Sequence, residues 1–244
     1  MAIGTNLVAA WNFTTASGST ATDVVNGIIV TLSSGAAFSG GGLTLNAADA
    51  LASVVAPSVL KITGGAITVA AYIDVLASPP NNVFFTEVSY NDPALNSSPF
   101  VAYGQFSRSG DWGIRSSDGT TLFTDDSLAV IPTANGQDVM TVISNAKRQQ
   151  YVGGSSVFLD STVRTAPVYT TTSQLRFGYT TNASGVTPAY RVRAAYIWNA
   201  DKTADLAAFH ADPGGTTWAF VSFTDDDAGW MPSPWPSDPT VSVW

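Results

Sequence analysis

One stretch limits the architectures open to this chain. Residues 190–213, YRVRAAYIWNADKTADLAAFHADP, read as a strand, a short turn and the one well-supported helix of the sequence. Tyr190, Val192, Ala194, Tyr196 and Trp198 recur at period two on one face, with Arg191, Arg193 and Asn199 on the other. Thr203 is the expected N-cap, and Asp205 falls in the first turn beside the positive end of the helix dipole. Leu206 and Phe209 supply the apolar side, and Asp212-Pro213-Gly214-Gly215 stops the helix. A chain of 244 residues with a single short helix must build its core from strands.

The remaining residues supply those strands. Leu7–Phe13 is an apolar run around Trp11, and Thr14–Thr22 reads as a polar loop. Asp23, Asn26 and Gly27 turn the chain into Ile28–Leu32, and Ser39–Gly42 leads into Leu43–Leu45. In Ala66–Val75, Ile67, Val69, Ala71, Ile73 and Val75 share one face. Val83–Tyr90, Phe100–Arg108, Asp111–Ser116 and Thr121–Phe123 read as an antiparallel meander, with hairpin turns at Ser109-Gly110 and Asp118-Gly119. Gln137–Ser144, Arg148–Val152, Ser156–Leu159 and Gln174–Tyr179 follow.

Composition agrees with a β protein and excludes some functions. Charged residues make up 11% of the chain against an ordinary quarter, so Ser, Thr, Asn and Gln must form the polar surface. A net charge of −8 argues against tracking nucleic-acid phosphates or binding anionic membranes. With no cysteine there is neither a disulfide nor thiolate chemistry. Met1-Ala-Ile-Gly runs into the first strand without a basic or long apolar segment, so no secretory signal is expected.

In order and spacing these segments resemble the LamG-like, concanavalin A-like jelly-roll family over residues 6–215. The likeness is carried by LVAAWNF, the Asp23/Asn26/Gly27 turn, AITVAAYIDV, QQYVGGSSV, QLRFGY and the closing RVRAAYIWNADKTADLAAF. It implies an all-β fold: two antiparallel sheets packed as a jelly-roll sandwich, one short C-terminal helix, and an extended arm after it. The expected division is a jelly-roll domain at 1–223 and a Pro/Trp-rich arm at 224–244.

Chemistry is harder to find. Some relatives of the fold hydrolyse glycosides with paired carboxylates, but Glu87 is the only glutamate here and the family's Glu-x-Asp-x-x-Glu strand is absent. Asp125-Asp126 and Asp225–Asp227 read as solvated loop charge, since adjacent strand residues face opposite ways. His210, the sole histidine, lacks a nucleophile elbow and suits a helix C-terminus. Asp23 and Asn26 are the only calcium candidates, against a structural turn as the simpler reading. No other cofactor is expected.

For carbohydrate, the best constellation is Tyr103, Gln105, Asp111 and Arg115, with Tyr90 nearby. Strand parity puts these on the outer face of the meander, with Phe106, Trp112 and Ile114 in the core. In the arm, Trp230, Met231, Trp235 and Trp244 alternate with prolines and suit docking on another chain. Low charge, no cysteine and this arm point to a non-catalytic virion structural protein, a phage capsid-decoration or fibre-like subunit. Its expected partners are other virion proteins, further copies of itself and a cell-surface glycan. The alternative is a carbohydrate-binding module of a secreted or surface protein, and a glycoside hydrolase ranks last.

Overall fold

The computed structural model describes residues 3–33, 35–78, 83–89, 101–108, 110–117, 122–125, 129–163, 167, 169, 173–179 and 187–218. In chain order the strands begin with β1 (Leu7–Asn12), β2 (Thr20–Thr22), β3 (Ile29–Leu32), β4 (Ala36–Phe38), β5 (Leu43–Leu45) and β6 (Leu51–Val55). Next come β7 (Ala66–Val75), β8 (Val83–Ser89), β9 (Val101–Arg108), β10 (Asp111–Ser117) and β11 (Leu122–Asp125). The last are β12 (Gln137–Ser144), β13 (Arg148–Val152), β14 (Ser155–Asp160), β15 (Gln174–Tyr179) and β16 (Tyr190–Trp198), before helix α1 (Leu206–Ala211). The arm at 224–244 and Tyr90 lie outside the described residues.

Two antiparallel sheets result. The first runs β14-β13-β12-β7-β16-β5-β4, with β1 beside β5 on the same edge of β16. The second runs β11-β10-β9-β8-β15-β6-β3-β2. Their facing sides form the main core, where Trp11, Phe13, Phe85, Trp112, Phe177 and Tyr190 are all buried. β7 behaves as its alternation predicts: Ile67, Val69, Ala71, Ile73 and Val75 all point into this core. β2, made only of Thr-Ala-Thr, was expected to be loop; β3 holds it in register as Thr20–Thr31 and Thr22–Ile29 pairs.

The closing strand departs from simple alternation. The β16–β7 register shifts between Val192 and Ala194, a bulge at Arg193 where the pairing edge passes from β5 to β1. The extra residue reverses parity part-way along the strand. Tyr190 and Val192 face the main core, as do Ala195 and Ile197 beyond the bulge. Ala194, Tyr196 and Trp198 instead face the opposite side, toward α1. The expected single face of five residues is thus two faces. The bulge gives the first sheet a second apolar surface for the helix.

That surface is the outer layer of the fold. Phe209 is fully buried and meets Tyr196 edge-on at 6.2 Å, while Trp218 closes on Tyr196 at 4.5 Å. Trp198 donates its indole N–H to the Ile3 carbonyl at 2.8 Å, so the N-terminal residues join the same cluster. Leu206 packs on it only partly. The helix thus covers the face of the first sheet turned away from the main core. Thr203 does not cap it. The Asp201 carboxylate takes both the Thr203 backbone N–H (2.9 Å) and its hydroxyl (2.6 Å), winding Thr203–Asp205 into a 3-10 turn before the α-helix begins.

Candidate functional site

The expected outer cluster separates onto two faces. Arg108 and Asp111 flank a two-residue turn and are direct partners, which sets Phe106 opposite Gly113 and Gln105 opposite Ile114. Tyr103 and Gln105 therefore point inward with Trp112 and Ile114, and both are fully buried. The Tyr103 hydroxyl donates to the Leu60 carbonyl at 2.9 Å. Gln105 donates from Nε2 to the Val69 carbonyl at 2.7 Å and to Thr141 Oγ1 at 3.1 Å. Gln105 thus ties the second sheet to the first and Tyr103 ties it to the turn at Ser58–Leu60, and as buried core groups they cannot form a sugar platform. Phe106, assigned to the core, lies instead on the outer face, with the Arg115 guanidinium 4.2 Å above its ring. Gly113 makes this possible, since any Cβ there would meet the Phe106 ring. Asp111 and Arg115 do occupy the outer face. The two-residue turn already contained this register; it requires Phe106 and Trp112 to face opposite ways.

The outer face of the second sheet carries a feature that only strand register can produce. Thr20 pairs with Thr31, Thr31 with Ser53, and Ser53 with Arg176. Arg176 pairs with Glu87, Glu87 with Gly104, Gly104 with Arg115, and Arg115 with Thr124. One unbroken row, Thr-Thr-Ser-Arg-Glu-Gly-Arg-Thr, thus crosses all eight strands. Directly opposed residues share a face, and at ~4.8 Å per strand the row is about 34 Å long. Every member is polar or glycine. Beside it on the same face lie Thr22, Ile29, Val55 and Gln174.

The row has an open and a closed half. Thr20 and Thr31 are exposed and Ser53 is half-buried, while Ile29 and Val55 are 51% and 57% exposed. Ile29, opposite Thr22, and Val55, opposite Gln174, put their apolar side chains on the same face as the hydroxyls. In the other half Arg176, Glu87 and Arg115 are 2%, 0% and 8% exposed. Arg176 donates from Nε and Nη2 to Gln174 Oε1 at 3.2 and 3.1 Å.

Glu87 owes its outward direction to a second bulge. The β8–β9 register shifts between Phe84 and Thr86, so Phe85 faces the core while Glu87, two residues on, faces out. Neither carboxylate oxygen accepts a hydrogen bond. Burial pushes its pKa up to about 7 although Arg176 and Arg115 both pull it down. The sequence marked Glu87 only as the sole glutamate, because neither bulge nor register was visible there.

Other charged groups are engaged structurally. Asp74, buried on β7, takes Arg193 Nε at 2.9 Å, Arg191 Nη1 at 3.1 Å and the Gly136 N–H at 2.9 Å. His210 places Nδ1 3.0 Å from Asp138 Oδ1 and so ties α1 to β12. Asp23 accepts four backbone N–H groups: Ala10 and Val25 on Oδ1, Asn26 and Ile28 on Oδ2. Asn26 donates its side-chain amide to the Val8 carbonyl at 2.8 Å. These side chains staple the turn to β1, the simpler of the two readings of this pair. Among the described residues no three His, Asp or Glu side chains cluster as a metal site.

The architecture defines a class: a two-sheet antiparallel jelly-roll sandwich with one short C-terminal helix. No family model and no curated protein matches the sequence. Solved structures do match the fold. Trypanosoma rangeli sialidase superposes with a TM-score of 0.63 at 12% identity, over 86% of this chain and 33% of its own. The binding domain of botulinum neurotoxin DC, solved in complex with rat synaptotagmin II, gives 0.64 at 10% identity, over 88% of this chain and 54% of its own. Botulinum neurotoxin type C, whose cell entry depends on two ganglioside molecules, gives 0.62 at 9% identity, over 86% and 52%. The chain spans between a third and about half of these neighbours.

Proposed function

We propose that this chain is a non-catalytic carbohydrate-binding module that receives a saccharide on the outer face of its second sheet. The observation that carries the reading is the open half of the polar row. Thr20, Thr31 and Ser53 present a ladder of hydroxyls, and Ile29 and Val55 add exposed apolar surface on the same face. A sugar ring needs both, hydroxyl partners at its edge and an apolar surface under its C–H face. The open area, three strands by two rows, is on the order of 200 Å². That suits one or two sugar rings and falls well short of the ~800 Å² per partner of a stable protein interface. Fold likeness to a neurotoxin that engages gangliosides supports the reading by analogy alone.

The non-catalytic part rests on carboxylate spacing. Glycosidases need two carboxyl groups within about 5–10 Å of each other. On this face Asp111 lies four residues along β10 from Arg115, roughly 13 Å along the strand and two strands across from Glu87. Among the described residues no nearer carboxylate shares the face. The chain's low charge and Trp/Pro-rich residues 224–244 favour a setting on a virion, where the module would decorate a particle.

A glycan array tests the binding function. Wild type is expected to retain a defined set of glycans, and Thr31→Ala to weaken the best of them by about 3- to 10-fold, the effect of one hydrogen bond. Failure of the wild type to bind any glycan would refute the proposal. Light scattering with and without residues 224–244 tests the particle setting: a monomer in both forms contradicts an assembly role for the arm.

A further inference from the structure

We infer that Arg191 and Arg193 form a binding site for a small oxyanion, a carboxylate, sulfate or phosphate group, on the outer face of the first sheet. The site lies on the other sheet from the proposed saccharide face and does not depend on it.

Asp74 sets the geometry. Its carboxylate is fully buried on β7 and holds both guanidiniums on one oxygen, with Oδ2 3.1 Å from Arg191 Nη1 and 2.9 Å from Arg193 Nε. The two groups therefore lie side by side, near enough for a single oxyanion to bridge them. One arginine would balance the charge of Asp74, which also accepts the Gly136 N–H at 2.9 Å. The second leaves the trio with a formal surplus of one positive charge, in a chain of net charge −8 with only ten Lys and Arg. A bound anion gives that surplus a local purpose.

Both side chains keep donors available. Arg191 directs Nε to Thr44 Oγ1 at 3.1 Å and Nη1 to Asp74, while Arg193 engages Asp74 through Nε alone. Arg191 Nη2 and both Nη groups of Arg193 donate to nothing among the described residues. The side chains reach solvent, 21% exposed for Arg191 and 31% for Arg193, so a ligand can approach them. Asp138, opposite Tyr72 on the same face, is engaged by His210 Nδ1 at 3.0 Å.

The guanidiniums are also held in place before any ligand arrives. Arg191 lies against the β4–β5 turn, where a Cβ on Gly40 would collide with Nη2 and one on Gly42 with Cγ. Glycine at both positions admits the side chain and confines it. Arg193 occupies the bulge of β16, and its guanidinium lies 5.6 Å from the centre of the Tyr72 ring. Bulges commonly re-aim a side chain beside a site. An arginine fixed in this way loses little freedom on binding, and its planar fork matches the paired oxygens of a carboxylate, sulfate or phosphate.

NMR of the full chain, following the arginine Nε–Hε signals, tests the site with sodium sulfate, sodium phosphate and sodium acetate, each compared with sodium chloride at equal ionic strength. At least one oxyanion is expected to shift the Arg191 and Arg193 signals saturably, at a concentration about 10-fold or more below any saturation by chloride. The probe that saturates lowest identifies the group recognised. Arg193→Gln keeps the Arg191–Asp74 pair and should weaken binding of that anion by about 10-fold or more. Should this variant fail to fold, Arg193→Lys, which keeps the charge and loses the fork, should still weaken it by about 3-fold or more. Shifts that chloride reproduces, that never saturate, that fall on other arginines, or that persist unchanged in the variant which folds would overturn the inference. None of these outcomes bears on saccharide binding, which a neutral sugar tests separately.

Discussion

Glu87 shows how a single residue can carry a measurable signature of its surroundings. A folded pKa of about 7 lies above the ordinary value of 4.5, so between these values the folded protein holds a proton that the unfolded chain releases. Stability from this group is therefore fully present below about pH 4.5 and is lost as pH rises through about 7. The two values differ enough to cost about 3 kcal/mol once the group is ionised. Chemical denaturation at about pH 6 and about pH 8 should show the lower stability at the higher pH, and Glu87→Gln should flatten the difference. An unchanged slope in that variant would assign the pH dependence elsewhere. Asp23 is the structural counterpart. It accepts four backbone N–H groups, and Asp23→Ala should cost about 2–4 kcal/mol because those donors lose their acceptor in a buried turn. Calcium should leave the melting temperature of the wild type unchanged if the turn is the whole role of this residue.

At the level of elements, α1 and β16 stand or fall together. The helix is only six residues long and has no side-chain cap, so its own propensity cannot hold it. Packing does so, through Phe209 against Tyr196, Trp198 and Trp218. Phe209→Ala is expected to cost about 3–5 kcal/mol, and Leu206→Ala distinctly less because Leu206 is only partly covered. Urea denaturation of the two variants checks the order; equal losses would mean that the helix is not seated as described. Gly113→Ala probes the second sheet in the same way. Its new methyl must displace the Phe106 ring and with it Arg115, an overpacking cost of about 1–3 kcal/mol.

At the scale of the whole molecule, regular alternation was legible and its interruptions were not. β7, β12 and β15 fall where their apolar patterns place them, because each keeps one face on the core throughout. β16 and β8 each contain a bulge, and one extra residue moves every later side chain to the other face. A one-residue slip of the same kind placed Tyr103 and Gln105 outside and Phe106 inside. The row from Thr20 to Thr124 joins eight separate stretches of sequence, and no one of them carries a recognisable motif. Its polar residues acquire meaning only when eight registers are known at once.

Binding on that row is the central claim, and residue-resolved NMR during a saccharide titration tests it most directly. A bound oligosaccharide should shift the backbone amides of Thr20, Thr31 and Ser53 in a saturable way, and leave α1 and the outer face of the first sheet unmoved. Saturable shifts confined to the helix-covered face or to the loops at the sandwich ends, or no shifts at any concentration, would contradict the account.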